Sequence, residues 1–440
     1  MTTSLYDPRT RDYLDPAAAR AERDRTFQIC ADCRLCIKYC FSFKSLFALV
    51  DAAQEQMGPE ADHHDATLRL TDADHDRIVA ECFQCKLCYV NCPYTLEHPE
   101  AEWKIDFPRL MLRSLAIRQR DGKVPASAKL LARTDLQGKV ATSLAPVVNA
   151  ASSNRLARSL MEKTAGIAKV RMLPTYARVR FSKWFRRRSA APVRESAVRG
   201  AVAVFPTCLV EYQEPAIGKA LVGVYEHNGI GCSLPEGQVC CGMPWLDAGD
   251  VDKFAEHARR NVAALATAVR EGRDVVVPQP TCAYVLKKEY PDFLGTDDAR
   301  LVAEHTFDAS EYLMNEHREA PLDKEFAGRT YESIVWHAAC HYRAQQIGPK
   351  SKQLMELTGA KVTMIERCSA IDGTWGLRAE NVEMAKKIAE PLIERVSESD
   401  AQLVTGDCHL ANTSIHEGSG KVPVHPLQVL ARAYGIEDDR

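Results

Sequence analysis

Eight cysteines in the first hundred residues form two sets with the same internal spacing. The stretch CADCRLCIKYC holds four thiols in eleven residues, CFQCKLCYVNC holds four more, and each cysteine of the first set recurs 52 positions later. The sets are Cys30, Cys33, Cys36 and Cys40, and then Cys82, Cys85, Cys88 and Cys92. Because thiolates are soft, anionic metal ligands, this crowding predicts a metal or cluster site rather than simple packing.

The spacing distinguishes iron–sulfur clusters from zinc. Tetrahedral zinc uses separated C-x2-C pairs, whereas in C-x2-C-x2-C-x3-C three cysteines bind one 4Fe–4S cluster and the fourth binds the other cluster. We therefore predict two 4Fe–4S clusters that exchange their fourth ligands. The first is bound by Cys30, Cys33, Cys36 and Cys92, and the second by Cys82, Cys85, Cys88 and Cys40. Pro93 follows the second set as the motif expects, but Phe41 replaces proline after the first set. A zinc-binding interaction module is the non-redox alternative.

The other eight cysteines lie beyond residue 200, in two segments of similar organisation, residues 200–322 and 323–440. Each segment opens with an apolar run that leads to a cysteine, GAVAVFPTC or SIVWHAAC, and each later shows a long helical pattern and a second such run. Short β-branched runs that alternate with helices predict a parallel α/β sheet, whose ligands bind at the carboxyl ends of the strands. The cysteines just past such runs are Cys208, Cys282, Cys340 and Cys408.

The first segment resembles a known cysteine-rich domain. Its Cys208, the motif Cys240–Cys241–Gly242 and Cys282 resemble the CCG domain of the heterodisulfide reductase B subunit and its relatives. The resemblance implies a further iron–sulfur cluster on Cys208, Cys240, Cys241 and Cys282. Some members end in C-x2-C, but here AYV follows Cys282, so the cluster type stays open. Cys232 falls outside the pattern and is interpreted as a packing residue.

The second segment is an incomplete copy. It keeps Cys340, Cys368 and Cys408, but Ser369 stands where the paired cysteine would be, and His341 and His409 follow two of the cysteines. One interpretation is a second metal or cluster site on Cys340, Cys368 and Cys408, completed by histidine or water or open to substrate. The alternative is a degenerate copy kept for its fold and its interface. His337 is interpreted as structural.

The whole arrangement resembles the family of heterodisulfide reductase-related iron–sulfur proteins, which includes the C subunit of anaerobic glycerol-3-phosphate dehydrogenase. The resemblance covers residues 25–100 and 200–440, with CSAIDGTWGLRAEN and HPLQVLARAYG closest to the glycerol-3-phosphate dehydrogenase type. It implies an electron-transfer subunit that relays electrons from a flavoprotein dehydrogenase or other redox protein to a quinone or another acceptor. No G-x-G-x-x-G follows a strand pattern, so a flavin would sit on a partner. The alternative is a reductase that acts on a disulfide, peroxide-linked or quinone substrate at the C-terminal cysteines.

Charge is distributed unevenly along the chain. Residues 108–199 hold 21 Lys and Arg against 4 Asp and Glu, a net charge of +17 within a chain of net charge -2. Such a region is either a solvated helical linker or a docking surface for an acidic partner or an anionic membrane. A peripheral membrane association through a partner or residues 171–188 is therefore left open, and no nucleic-acid module accompanies the charge.

The sequence thus predicts a multidomain α plus α/β protein. An α-helical ferredoxin domain occupies residues 1–107 and a basic linker or docking region residues 108–199. Two CCG-type domains, the second degenerate, occupy residues 200–322 and 323–440. The N-terminus lacks a signal-peptide pattern, and no apolar stretch is long enough to cross a membrane. We therefore expect a cytoplasmic location, with reduced cysteines rather than a secreted disulfide framework.

Overall fold

The computed structural model describes residues 6–98, 102–188, 200–371 and 373–436. The chain divides into two compact units. The first unit runs to Lys129 and takes in Trp245–Lys253, and the second holds Leu130–Pro244 and the chain from Phe254 onward. The predicted α plus α/β class is confirmed, because the first unit is helical and the second contains two parallel sheets.

The first unit is built from helices that enclose an aromatic core. Its helices are α1 Pro16–Cys33, α2 Phe41–Met57, α3 His63–Thr67, α4 Asp72–Ala80, α5 Leu87–Val90, α6 Phe107–Arg120 and, at its end, α7 Ala126–Leu131. Helix α4 is capped by Thr71, which forms a reciprocal capping box with Asp74. Phe27, Phe43 and Phe107 are buried together, with ring centroids 4.4 Å apart between Phe43 and Phe107.

The second unit starts with four helices from the basic region and continues with two sheets. The helices are α8 Thr134–Ser143, α9 Ala145–Ser153, α10 Arg155–Ala165 and α11 Phe181–Arg187. The first repeat contains β1 Ala201–Val204, α12 Thr207–Tyr212, α13 Pro215–His227, β2 Gly231–Ser233, α14 Met243–Asp247, α15 Val251–Arg270, β3 Asp274–Val277, α16 Pro280–Tyr284, α17 Tyr290–Leu294, α18 Asp297–Glu304, β4 Thr306–Asp308 and α19 Ala309–Glu319. The second repeat contains β5 Ser333–His337, α20 Cys340–Ala344, α21 Lys350–Glu356, β6 Lys361–Ile365, α22 Val382–Ser397, β7 Leu403–Gly406, α23 His409–Ser419 and α24 Pro426–Ala433. Residues 189–199, which end the predicted basic region, lie outside the described residues.

Both sheets are parallel, and in each the first strand of the repeat lies between the second and the third. The first has the strand order β2-β1-β3-β4 and the second the order β6-β5-β7. In the register, Ala203 pairs with Ser233 and Val275, and Val335 pairs with Thr363 and Val404. The β-branched strands are buried on both faces, as parallel strands covered by helices require. Because every strand runs the same way within its sheet, the cysteine-bearing loops of each repeat emerge from one sheet edge.

One hydrophobic core joins the two repeats. Val204 and Val276 of the first sheet belong to the same buried cluster as Ile334 and Trp336 of the second. The basic region also attaches to both repeats. Ser182 donates hydrogen bonds from its amide and its hydroxyl to Glu211, and Arg171 forms a 2.9 Å ion pair with Glu417.

Candidate functional site

A left-handed residue stands at the same position in each N-terminal cysteine set. Cys30 and Cys33 lie in the last turns of α1, and Arg34 follows at φ 50°. Lys86, which occupies the same place in the second set 52 residues later, has φ 64°. The left-handed region costs a residue with a side chain about 1–2 kcal/mol. Both positions nevertheless adopt this conformation. It reverses the chain direction and so turns the next cysteine back toward the preceding ones.

The geometry brings Cys92 to the first cysteine set. The Cys30, Cys33, Cys36 and Cys92 side chains line one pocket together with apolar side chains such as Phe43. Burial raises the pKa of Cys30 well above its ordinary value, and the neighbouring Cys36, Cys92 and Cys33 thiols raise it further. For the same reasons, burial first and then Cys92 and Cys33, the pKa of Cys36 rises to about 12.

The geometry likewise brings Cys40 to the second set. Burial raises the pKa of Cys40 well above its ordinary value, and the nearby Cys85 and Cys82 thiols add to the rise. Burial also raises the pKa of Cys88, followed by the effects of Cys85, Cys40 and Cys82. Cys36 lies close enough to affect the Cys88 thiol, so the two groups of four are neighbours.

The two groups differ in their access to solvent. Cys33 of the first group is exposed, whereas Cys40 and Cys88 of the second are buried. Each group has hydrogen bonds to sulfur at 3.4 Å, from the Tyr94 amide to Cys92 Sγ and from Gln84 Nε2 to Cys82 Sγ. Such contacts stabilise thiolate charge and, with exposure, set the reduction potential of an iron–sulfur site.

The donor sets fit polynuclear clusters. Thiols crowded away from water resist ionisation, so a bound cation is needed to hold several thiolates together. Among the described residues, no three His, Cys, Asp or Glu side chains converge closely enough to hold a single metal ion. A cubane cluster does not require that convergence, because each thiolate binds a different iron atom.

The first repeat collects its cysteines from three strand ends. Cys208 lies on α12 after β1, Cys240 and Cys241 lie on the loop after β2, and Cys282 lies on α16 after β3. The sulfur atoms of Cys208 and Cys240 are 3.9 Å apart. Hydrogen bonding with Cys208 and Cys241 lowers the pKa of Cys240, and the same hydrogen bonds raise the pKa of Cys208 and of Cys241.

Gly242 lets the paired-cysteine loop bend. Its φ is 92°, and a Cβ atom there would lie 2.8 Å from Phe254 Cδ2. Neighbouring side chains normally diverge, so this turn allows Cys240 and Cys241 to face the same set of thiols. Thr207, just before Cys208, also has a left-handed backbone at φ 65°, which is rare for a β-branched residue and marks local strain.

Polar side chains hold the loop in place from the helices behind it. Asn261 on α15 accepts a 2.8 Å hydrogen bond from the Val239 amide and donates to the Cys240 carbonyl. The Tyr290 hydroxyl donates to the Cys241 carbonyl at 2.9 Å. These residues could not be identified from the sequence, because isolated polar residues within helices carry no spacing signal.

The second repeat keeps this framework with fewer thiols. Cys340 begins α20 after β5, Cys368 follows β6 and Cys408 precedes α23 after β7. Cys368 and Ser369 are followed by Ala370 at φ 53°, so the left-handed turn of Gly242 recurs without glycine. The Cys368 sulfur accepts a 3.3 Å hydrogen bond from the Ala370 amide.

Cys340 and Cys408 lie near residues of the first repeat. The pKa of Cys408 is raised to about 11 by burial, with smaller effects from Asp407 and from Cys282 of the first repeat. The Cys340 sulfur is 4.0 Å from His341 Nδ1, which in turn is 3.0 Å from the Thr281 hydroxyl.

Two residues outside the ligand sets have packing roles. The His337 side chain is buried, and its Nε2 lies 2.9 Å from the Arg367 carbonyl. Cys232 on β2 packs against the hydrophobic core of the second unit.

Comparison with known proteins agrees with this layout. Residues 29–97 match a family model described as a 4Fe-4S dicluster domain, and residues 202–287 and 334–413 each match the CCG cysteine-rich domain. The chain is therefore an iron–sulfur protein with a two-cluster N-terminal domain and two cysteine-rich repeats.

Curated relatives share much of the chain. The C subunit of anaerobic glycerol-3-phosphate dehydrogenase from Escherichia coli K12 is 31% identical over 310 residues, which cover 69% of this chain and 76% of the relative. Lactate utilization protein A of Bacillus pumilus is 27% identical over 47% of this chain and 87% of its own length. The B subunit of fumarate reductase (CoM/CoB) from Methanothermobacter marburgensis is 27% identical over 53% of this chain and 46% of its own length. The chain belongs to the family of iron–sulfur oxidoreductase subunits that includes the C subunit of anaerobic glycerol-3-phosphate dehydrogenase.

Proposed function

We propose that twelve cysteines hold three iron–sulfur clusters in this electron-transfer subunit. The proposed sets are Cys30, Cys33, Cys36 and Cys92; Cys82, Cys85, Cys88 and Cys40; and Cys208, Cys240, Cys241 and Cys282. The observation that carries the proposal is the crossing of the N-terminal sets, in which Cys92 joins the first group and Cys40 the second. The single-electron redox chemistry would come from the bound clusters.

The side chains around each set give it a different environment. The exposed Cys33 and its exposed neighbours Leu35 and Ile37 leave the first group open to a partner, whereas Cys40 and Cys88 of the second group are buried. Because exposure and hydrogen bonds to sulfur tune reduction potential, the two groups support different potentials.

We propose a flavoprotein dehydrogenase as the electron donor and a quinone or another redox protein as the acceptor. The relatives are named as parts of dehydrogenase and reductase systems, which supports a redox partner. A flavoprotein acting on glycerol 3-phosphate is the donor that the glycerol-3-phosphate dehydrogenase relative suggests.

The test is electron transfer by the anaerobically purified chain. Reduced protein is mixed with menadione, and reduction is also followed with glycerol 3-phosphate and a flavoprotein glycerol-3-phosphate dehydrogenase. We expect fast reoxidation by the quinone, slowed in Cys92→Ser and unchanged in Cys232→Ser, which changes a cysteine outside every proposed set. Rapid reduction of a substrate by the isolated chain with an artificial donor alone would contradict a purely electron-transferring role.

A second candidate function is a reductase site between the repeats. It is favoured by Cys408 lying near Cys282 and by His341 linking Cys340 to Thr281. The substrate would be a disulfide, a peroxide-linked compound or a quinone. Loss of turnover in Cys408→Ser, with the N-terminal clusters intact, would support this function.

We propose a cytoplasmic location with peripheral contact to an anionic membrane surface. None of the described helices has the length and hydropathy to cross a bilayer. The predicted segment 171–188 offers basic side chains, but Phe181 is buried and Trp184 and Phe185 pack against the core. Exposed apolar side chains instead lie on α8, α9 and α10 and between α8 and α9, namely Leu136, Val140, Leu144, Val147, Leu156 and Leu160.

Vesicle sedimentation tests the membrane contact. We expect the chain to bind vesicles that contain phosphatidylglycerol more strongly than neutral phosphatidylcholine vesicles, and L156E/L160E to weaken that binding. Equal sedimentation with both vesicle types, unaffected by the substitutions, would contradict the proposal.

A further inference from the structure

The basic region contributes to the first CCG-type site as well as to the surface. Asp135 is one of only 4 acidic residues among residues 108–199. It lies in the first turn of α8, and the family model of the cysteine-rich domain begins only at residue 202. No spacing motif in the sequence connects it to the cysteines.

The Asp135 carboxylate bridges two cysteine-bearing elements. One oxygen accepts a 2.9 Å hydrogen bond from the Cys240 amide, which fixes the backbone of the paired-cysteine loop. The other oxygen accepts a 3.3 Å hydrogen bond from the Tyr212 hydroxyl, and Tyr212 lies on α12 together with Cys208. One side chain therefore links the elements that carry Cys208 and Cys240.

The packing of α8 is adapted to this contact. Gly138, one turn after Asp135, lies against the Tyr212 ring, and a Cβ atom at position 138 would overlap that ring. Glycine destabilises a helix interior relative to alanine, so the close approach of the Tyr212 ring explains its presence at position 138. Because position 138 has no side chain, α8 packs close enough to Tyr212 for the Asp135 carboxylate to reach the Cys240 amide.

Other residues of the same region lie close to these thiols. A side-chain hydrogen bond with Thr134 is one of the effects that lower the pKa of the Cys240 thiol. Tyr176 lies within electrostatic range of Cys208, and its backbone is fixed by two 2.9 Å hydrogen bonds with the Asn149 side chain. Thr134, Asp135 and Tyr176 of the basic region thus lie close to the cysteines whose loop Asn261 and Tyr290 hold from the first repeat.

We propose that Asp135 is a positioning residue of the first CCG-type iron–sulfur site, where it holds the Cys240 loop and the Cys208 helix at the separation that the cluster requires. The inference rests on the proposed assignment of a cluster to Cys208, Cys240, Cys241 and Cys282. It gives part of the basic region a role at a cofactor site.

The test compares D135A, D135N and E162A in the full, anaerobically purified chain. Asparagine keeps an oxygen that can accept the Cys240 amide, whereas alanine removes it. Glu162 lies in the same region and accepts a hydrogen bond from the Lys169 amide, so E162A is the matched control. The readouts are iron loss during an EDTA challenge and the EPR spectrum and midpoint potential of the CCG-type cluster.

We expect D135A to weaken iron retention at this site roughly 10- to 100-fold, as loss of a supporting partner of a metal ligand commonly does. D135N should restore most of the retention, and the EPR signals of the N-terminal clusters should not change. G138A provides a second variant, because it displaces α8 while keeping the carboxylate, and it should shift the CCG-type signal in the same direction as D135A.

Several results would overturn the inference. D135A and G138A with wild-type retention and spectra, or E162A with the same defect as D135A, would show that Asp135 does not position the site. If D135A fails to fold, D135N and G138A decide the question. Wild-type protein with iron only for the N-terminal clusters would instead contradict the cluster assignment, and the inference would fall with it.

Discussion

The two units gather their thiols in different ways. In the first unit, three cysteines of each set lie within one short stretch of sequence that contains the left-handed Arg34 or Lys86, and the fourth comes from the other set. In the second unit, each cysteine position follows a different strand, and the parallel sheet brings the positions to one edge.

This difference explains why only the second unit can carry an incomplete copy. Its framework is made by strands, helices and a shared hydrophobic core, so Ala370 keeps the left-handed turn although Ser369 replaces a thiol. In the first unit the loops are short and the ligands are crowded, so the local structure depends directly on the cluster. We expect ligand loss to be more damaging there.

The largest effect is expected from exchanging a crossed ligand. Cys92→Ser should abolish the cluster bound by Cys30, Cys33 and Cys36, although it lies more than 50 residues away from them. Cys40→Ser should abolish the other cluster. EPR and iron counting check both variants, and loss of the opposite cluster in each case would overturn the pairing.

A smaller loss of stability and iron is expected from replacing the glycine at the left-handed turn of the second unit. Gly242→Ala combines an unfavourable φ with a clash against Phe254, so it should lower stability by about 1–3 kcal/mol beyond the backbone cost and release iron from the CCG-type site. Gly237→Ala is the matched control, because Gly237 has φ 88° and open space around its Cβ position. Equal melting temperatures and iron contents in the two variants would show that the contact is unimportant.

A pH effect is expected from a buried histidine of the second unit. Burial lowers the pKa of His425 to about 3, and the ring bridges the Leu427 amide and the Pro278 carbonyl. Because the unfolded state takes up the proton near pH 6.5, this histidine's stabilisation is complete above that pH and declines as the pH falls toward 3. His425→Gln should therefore flatten the dependence of unfolding on pH between 6.5 and 5, whereas the exposed His305→Gln should not. Parallel pH profiles for wild type and His425→Gln would refute this.

The smallest effect is expected at the incomplete copy. Cys408→Ser should leave menadione reduction close to wild type, because the framework does not need that thiol. Cys241→Ser, at the paired position of the complete copy, should lose the CCG-type cluster. If Cys408→Ser instead stops turnover, the reductase function becomes the better explanation.

The fold class and the iron–sulfur character could be predicted because both depend on patterns of residues that are close together in the sequence. Cysteine spacing and the alternation of apolar runs with helical patterns depend only on residues that are close in sequence. The supports of the paired-cysteine loop could not be predicted. Asp135, Asn261 and Tyr290 meet the loop only through tertiary packing, and each is an ordinary polar residue in its own helix.

The packing of the basic region also could not be predicted from the sequence. A net charge of +17 suggests solvent or a partner, but it does not show which arginines are used internally. Arg158 is buried and donates to the Ala168 and Arg171 carbonyls, so part of that charge serves the fold.

The most direct test is a count of iron and acid-labile sulfide in the wild-type chain purified without oxygen. We predict equal amounts of both, with about eight irons for the two N-terminal clusters and additional iron at the CCG-type site. Folded protein that contains zinc, or no metal, in place of iron and sulfide would contradict the account.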